Sequence, residues 1–549
     1  MFDDLDQLWD VVVVGTGMGG ATLGLALARA GQRVLFVEKG ASHLDSAQAM
    51  LGSYAETTFP KPSAPQPEHR DSLLRAGRYA DVVEDRSGPR PSRFIPFIGS
   101  GSGGSTALYG MALERFFPSD FEPGKRHPAA PDSTLPQRWP LRYEDMAPYY
   151  AEAERLFRVR GTRDPLRAEQ AGPMTPPPPL TPGAAELVDY FGARGLHPYR
   201  LPLACEFVEG CATCQGYLCE KKCKNDASRI CLEPALAQHG ARLLDRCEVL
   251  RVEASRHAVS ALVCRWRGAE RRLRAKRVVL AAGALETPRI LLASSSPEWP
   301  HGLANDSLMV GRNLMRHHID LYLVTPKVKG FDNRHKEFAF NDFYDGGGEN
   351  LGSVQSFGRL PPVPVLAASM ADDLRQGPLP WTAPLFKLAQ PVIKPVLESL
   401  VHDRMILATT LEDLPYADNR VELPPAGSDA HLLLHYRVRA HDADRIQAFR
   451  TRMKQVLKGY SFSIVKQADN NQRIAHVCGT CRFGDDPASS VLDANNRAHG
   501  LDNLYVVDAS FFPSSGGTNP SLTIAANALR VADQLLRQAG AADRANALS

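Results

Sequence analysis

The sequence predicts an α/β protein in which a Rossmann-like domain is interleaved along the chain with an α+β domain built on an antiparallel sheet. Three observations lead there. The apolar run Asp10 to Val14 meets the glycine-rich turn Gly15 to Gly20, a small-residue helix from Ala21 to Ala30, and the strand Arg33 to Glu38, together a β-α-β unit. A second apolar strand, Arg277 to Ala282, ends at Gly283 and a helix carrying Pro288 near its start, expected as a first-turn proline, so the first region returns here. Between about 316 and 469 the texture changes to strand-like segments such as Asp320 to Val324 and Leu432 to Val438. One amphipathic helix there places Ile446, Phe449, Met453, Val456 and Leu457 on one face.

With 549 residues the chain exceeds what one hydrophobic core usually supports, which fits two interleaved regions. Proline-rich stretches at Pro60 to Pro67 and Pro173 to Pro182 suit surface connections between them. The chain ends on a strand, Asn503 to Val507, and a long helix starting at Pro520; no internal repeat is present. A formal charge of +3, from 64 basic and 61 acidic residues, supplies no excess for tracking a nucleic-acid backbone. The acidic start Met-Phe-Asp-Asp-Leu-Asp runs straight into a strand and lacks the pattern of a signal peptide. A cytoplasmic location is expected, periplasmic only if an exported partner carries the chain. No apolar stretch reaches about 18 residues, so no transmembrane segment is expected.

Gly15-x-Gly17-x-x-Gly20 lies between a strand and a helix, with Glu38 closing the second strand. Gly15 suits a tight turn, Gly17 lets backbone approach a pyrophosphate, and Gly20 permits close helix packing. The helix N-terminus offers free N-H groups and a positive dipole to phosphates. Glu38 is placed to accept hydrogen bonds from adenosine ribose hydroxyls. The motif predicts a dinucleotide without separating FAD from NAD.

Further segments carry a resemblance. Ile98-Gly99-Ser100-Gly101-Ser102-Gly103-Gly104-Ser105 is followed by Tyr109-Gly110 and Arg115; later come Ala281-Ala282-Gly283-Ala284-Leu285-Glu286-Thr287-Pro288 and Val310-Gly311-Arg312-Asn313-Leu314. At the C-terminus stand His476-Val-Cys478-Gly479-Thr480-Cys481-Arg482-Phe483-Gly484, then Asn503 through Asp508, Ser510 and Pro513, then Asn519-Pro520-x-Leu522-Thr523. In this order the segments resemble the glucose-methanol-choline oxidoreductases, while residues 316 to 469 carry little of the likeness. The resemblance implies a discontinuous FAD-binding domain (1–45, 94–120, 200–315, 470–540), a substrate domain (121–199, 316–469) and a connecting segment (46–93). It implies that Gly103, Gly104 and Ser105 wrap the flavin and pyrophosphate, that Ala282 and Gly283 belong to the family's second signature, and that Asp508 binds near the ribityl chain.

Alcohol oxidation needs a base for the hydroxyl proton, a hydride acceptor, and a stabiliser of charge on the reduced acceptor. His476 suits the base because imidazole titrates near neutrality. Asn519 suits holding the substrate oxygen and also suits an N-cap, since Pro520 is a favoured first helical residue. That helix would aim its positive end at the flavin. Within the family, His476 and Asn519 resemble the His/Asn variant of the catalytic pair. The expected reaction is therefore FAD-dependent hydride abstraction from a small-molecule alcohol, with a sugar or glycoside favoured and a dehydrogenase favoured over an oxidase. A sterol or aromatic alcohol oxidase and a non-redox lyase on the same fold are the alternatives.

Six of the ten cysteines, Cys205, Cys211, Cys214, Cys219, Cys223 and Cys231, fall within 27 residues. In a reducing compartment they are thiols or metal ligands rather than a disulfide framework. Packed thiols, a zinc site and an iron-sulfur cluster all fit such a run. Cys214-x4-Cys219-x3-Cys223 resembles the run that holds a three-iron cluster in some bacterial FAD glucose dehydrogenases, one residue shorter here. A cluster would imply an electron-acceptor protein or quinone as partner. Cys478 and Cys481 are expected as packing thiols. The run Pro361 to Val401 suits ordinary packing of an insertion, a lid, a partner dock or a shallow membrane contact.

Overall fold

The computed structural model describes residues 7–44, 47–55, 67–128, 130–170, 172–328, 335–345, 350–363, 404–470, 474 and 476–548, with scattered positions between 364 and 395. The expectations attached to Pro361 to Val401 fall largely outside the described residues. Among the described residues no helix is long and apolar enough to cross a membrane.

The strand Leu8–Val14 sits between Val34–Val37 and the long strand Ala269–Leu280, parallel to both, and its Val11 to Val13 side chains are fully buried. Arg242–Leu244 and Leu504–Val506 extend the parallel core on either side. Both faces are covered, which is why these strands read as continuous apolar runs. Ala269–Leu280 has a second half-life as a meander strand: its first half pairs antiparallel with Val259–Trp266, which pairs with Cys247–Ala254. Sequence reading recovered only the Arg277 end, because Glu270, Arg271, Arg272 and Arg274 face water and leave no apolar run.

The second sheet is antiparallel throughout, in the order Phe462–Val465, His318–Val324, Met405–Leu411, Gly352–Ser356, Phe338–Phe340, Tyr199–Arg200. The helix Ala440–Val456 lays Ile446, Phe449 and Met453 on it, joined by Leu457, with Val456 at the edge. A third, four-stranded sheet was not expected. It pairs Leu432–His435 with Arg420–Glu422 and, in parallel, with Val83–Asp85, which pairs with Ser92–Phe94. The segment 46–93 thus adds two strands and the helix Pro67–Arg75 to the fold.

Two local expectations need correction. Pro288 is the sixth residue of the helix Gly283–Leu292 rather than a first-turn residue. Lacking an N-H, it cannot bond the carbonyl four residues back, that of Ala284, and Thr480 Oγ1 donates to that oxygen instead at 2.7 Å. The helix Tyr143–Leu156, drawn with the substrate region, buries Tyr150 in the core of the first region, where its hydroxyl meets Thr523 Oγ1 at 2.8 Å. Its partner is the final helix, Ser521–Leu548, close in space and far in sequence.

Candidate active site

The strand ends Val14, Val37 and Ala281 and the segments around Gly104, Asp508 and Asn519 line one cavity of about 540 Å³. Gly15 has φ +97, and a Cβ there would lie 2.3 Å from Ala281 O, so only glycine brings the two strands' loops together. A Cβ on Gly20 would meet Gly15 O at 2.2 Å, which seats the helix Met18–Arg29 on its own turn. Gly17 and Gly283 differ. A Cβ on Gly17 would have only Gly104 Cα, at 4.0 Å, for a neighbour, and one on Gly283 nothing within 4 Å. Both line the cavity, Gly17 at the N-terminus of the helix Met18–Arg29, where backbone can approach a pyrophosphate, and Gly283 with its N-H held by Asp508.

Glu38 and Asp508 hold this cradle closed. Glu38 accepts from Thr16 N (3.0 Å), Thr16 Oγ1 (2.7 Å), Gly40 N (3.0 Å) and Gly101 N (3.0 Å), tying the first glycine turn to the second. Asp508 accepts from Gly283 N (2.9 Å), Thr287 Oγ1 (2.5 Å) and Ser510 N (2.9 Å), and burial pushes its carboxyl above the usual range. Sequence reasoning named both as ligand contacts; each lines the cavity but is also a clamp between loops. Gly104 and Ser105 line the cavity, and Ser105 Oγ accepts from Gly99 N at 3.1 Å. Gly103, with φ +84, backs against Ser228. Ala282 lines the cavity beside Gly283.

His476 and Asn519 enter the same cavity from different elements. His476 has φ +61 in the loop before Cys478, and its Nδ1 lies 2.8 Å from Nδ1 of His317. His317 Nε2 faces two backbone carbonyls, Ser515 O at 3.1 Å and Gly516 O at 2.9 Å. Carbonyl oxygens only accept, so Nε2 of His317 carries its proton and a neutral His317 presents a lone pair at Nδ1. His476 Nδ1 must then donate, which leaves the lone pair of His476 on Nε2. Burial, then His317, then Lys336 hold the His476 imidazolium well below the ordinary histidine value, so the ring is neutral near pH 7.

Asn519 Nδ2 donates to Gln355 Oε1 at 3.1 Å. It is not the N-cap considered above: the final helix begins at Ser521, and Pro520 O accepts the first helical bond from Ile524 N at 3.1 Å. The Asn519 amide is therefore turned toward the sheet carrying Gln355, with one N-H uncommitted among the described residues. Pro520 lines the cavity at the helix start. Sequence reasoning missed His317, Gln355 and Lys336. His317 was marked only by the doublet His317-His318 just past Val310 to Leu314, and the other two lie in the stretch with little family signal.

The cysteine loop borders the cavity through Gln215 and Gly216. Sulfurs of Cys205, Cys211 and Cys223 lie within 4.8 Å of one another, Cys219 is 3.6 Å from Cys223, and Cys214 bonds Cys219. The expected trio Cys214, Cys219 and Cys223 is thus part of a group of five that Cys205 and Cys211 complete. Neighbouring thiols hold Cys211 and Cys219 down toward thiolate while raising Cys205 and Cys223. Cys231 stands apart, against Thr22 Oγ1 at 3.6 Å. Cys478 and Cys481 are buried in the main core.

Comparison with known proteins matches this architecture to a family. An FAD-binding domain model matches residues 10–81, and GMC oxidoreductase models match 195–319 and 415–528. A 6'''-hydroxyparomomycin C oxidase of Streptomyces lividus is 31% identical, covering 98% of this chain and 93% of its own. The chain belongs to the GMC oxidoreductases, FAD-dependent enzymes that oxidise CH-OH groups. A paromamine 6'-oxidase of Streptomyces fradiae is 28% identical over 96% of this chain and 91% of its own, and the fructose dehydrogenase large subunit of Gluconobacter japonicus 25% over 96% and 97%. The fold is shared with pyridoxine 4-oxidase from Mesorbium loti, at TM-score 0.62 and 22% identity, covering 96% of this chain and 99% of that one.

Proposed function

We propose that this enzyme oxidises a CH-OH group of a polyhydroxylated alcohol, a sugar or glycoside, to a carbonyl, with His476 as base and Asn519 as its partner. The observation that carries the reading is the proton chain from the Ser515 and Gly516 carbonyls through His317, which leaves the lone pair of His476 on Nε2 in a cavity that Asn519 shares. Nε2 takes the hydroxyl proton. The uncommitted N-H of Asn519 holds the substrate oxygen while Gln355 fixes the amide plane. Bound FAD supplies the hydride acceptor. The names of relatives that act on paromamine and fructose agree with an oxygen-rich substrate.

The second part of the proposal concerns electrons. The cysteine group would hold an iron-sulfur cluster, with Cys214, Cys219 and Cys223 as expected ligands and Cys205 and Cys211 within reach. Such a cluster, if bound, would supply one-electron transfer, and the acceptor would be a quinone or an electron-transfer protein, making the enzyme a dehydrogenase. Iron and acid-labile sulfide assays on purified holoenzyme test this part, and their absence rejects it. Anaerobic mixing with a sugar panel tests the first. Flavin bleaching with one carbonyl formed per flavin is expected, whereas product without bleaching would identify a non-redox lyase.

A further inference from the structure

We infer that Lys336 is the specificity-determining contact of the cavity and that it selects an alcohol carrying an anionic oxygen group, a carboxylate. The inference rests on the alcohol-oxidising reading of the same cavity and adds the substrate's charge.

Lys336 is 6% exposed and lines the cavity together with His476, Gln355 and Asn519. Its ammonium lies 5.2 Å from the centre of the Phe357 ring and fills the notch beside Gly110, where any Cβ would come within 2.7 Å of Nζ. The other lysine in the lining is neutralised: Lys39 Nζ is 2.6 Å from Asp81 and 3.2 Å from Glu286. Among the described residues no carboxylate lies within ion-pair distance of Lys336. The carboxylate that acts on it is Glu114, which accepts hydrogen bonds from Tyr199 and, at 3.0 Å, from Thr518, and burial pushes its carboxyl upward toward the neutral acid. Burial lowers the Lys336 ammonium to about 8, so it remains mostly charged at pH 7.

A buried cation without a counter-charge is costly unless a ligand brings one. The position says where that charge belongs. Gln355 braces Asn519, and Phe357, under the ammonium, is two residues further along the same stretch of chain, about 7 Å away in extended backbone. An acid group about that far from the carbinol carbon reaches Lys336 while the hydroxyl meets His476.

Titrating the flavin spectrum of the holoenzyme with D-gluconate and with D-glucitol, which differ only in carboxylate against CH2OH at one end, tests this directly. Tighter binding of gluconate is expected. Lys336→Met should weaken gluconate about 30-fold and change glucitol less than about 3-fold, as loss of one charge-assisted hydrogen bond requires, and Lys336→Arg should restore part of it. Equal affinity for the two in the wild type, no gluconate binding, or equal loss of both in Lys336→Met would overturn the inference. Gluconate binding with no alcohol able to bleach the flavin would instead sink the alcohol-oxidising reading and leave the anion site standing.

Discussion

Replacing His317 with Phe removes both ends of the proton chain: the Nε2 donor to Ser515 and Gly516 and the Nδ1 acceptor for His476. The buried His476 Nδ1-H then has no partner there, and the ring can move its proton to Nε2, the atom that must accept from the alcohol. One buried hydrogen bond is worth about 1 to 3 kcal/mol when its partner is left unpaired, which makes the productive tautomer about 5- to 150-fold rarer. The kcat for the best alcohol should fall by that factor, with KM within about 3-fold, because the base acts on the reacting proton rather than on ground-state binding. His317→Asn separates this from general damage. Its side-chain oxygen reaches about the position of Nδ1 and can accept from His476, so it should recover most of the lost kcat. Loss of His317 also removes one cause that depresses His476, so the acid limb of kcat/KM should move up toward 6.5. Single-turnover anaerobic flavin reduction across pH reads both quantities. An unchanged rate in His317→Phe, or an Asn variant as slow as the Phe variant, would refute the tautomer argument.

Gly15→Ala forces a Cβ at φ +97 to 2.3 Å from Ala281 O; backbone strain plus overpacking should cost about 2 to 4 kcal/mol in urea unfolding and release FAD on gel filtration. Thr480→Val takes away the donor that replaces the Pro288 N-H at Ala284 O, and should lower stability by about 1 to 2 kcal/mol with flavin retained. His317 and His476 both have depressed folded values, so below their ordinary 6.5 the unfolded chain binds protons that the folded chain refuses. Stability should therefore be full above pH 6.5 and fall as pH drops through that value, measured as urea midpoints from pH 8 to 5; a flat profile would contradict the neutral pair.

The single-sheet periodicities were readable from the chain because each is local. A parallel strand buried on both faces must be a continuous apolar run, as at Val11 to Val14, and a turn that approaches another backbone must be glycine, as at Gly15. The resemblance carried by short segments likewise delivered the flavin class, and the two residues it singled out, His476 and Asn519, line one cavity. What the sequence could not supply were relations between distant positions. Val83 pairs with Leu432 across 349 residues, and Tyr150 finds the final helix, with no local pattern to announce either. The charged half of Ala269–Leu280 hid a strand for the opposite reason, its outward side chains obeying water rather than a core.

The same division runs through the site. Residue type alone says that an imidazole can take a proton and an amide can hold an oxygen. Only the tertiary structure decides which ring nitrogen is free, because that depends on two carbonyls at Ser515 and Gly516 reaching His317 from almost 200 residues away. Likewise a lysine in a stretch with little family signal is unremarkable until folding removes its water and sets it in the cavity with no carboxylate among the described residues beside it. Chemistry was written in the residues; protonation and charge balance, which are long-range electrostatic properties, were set by the fold.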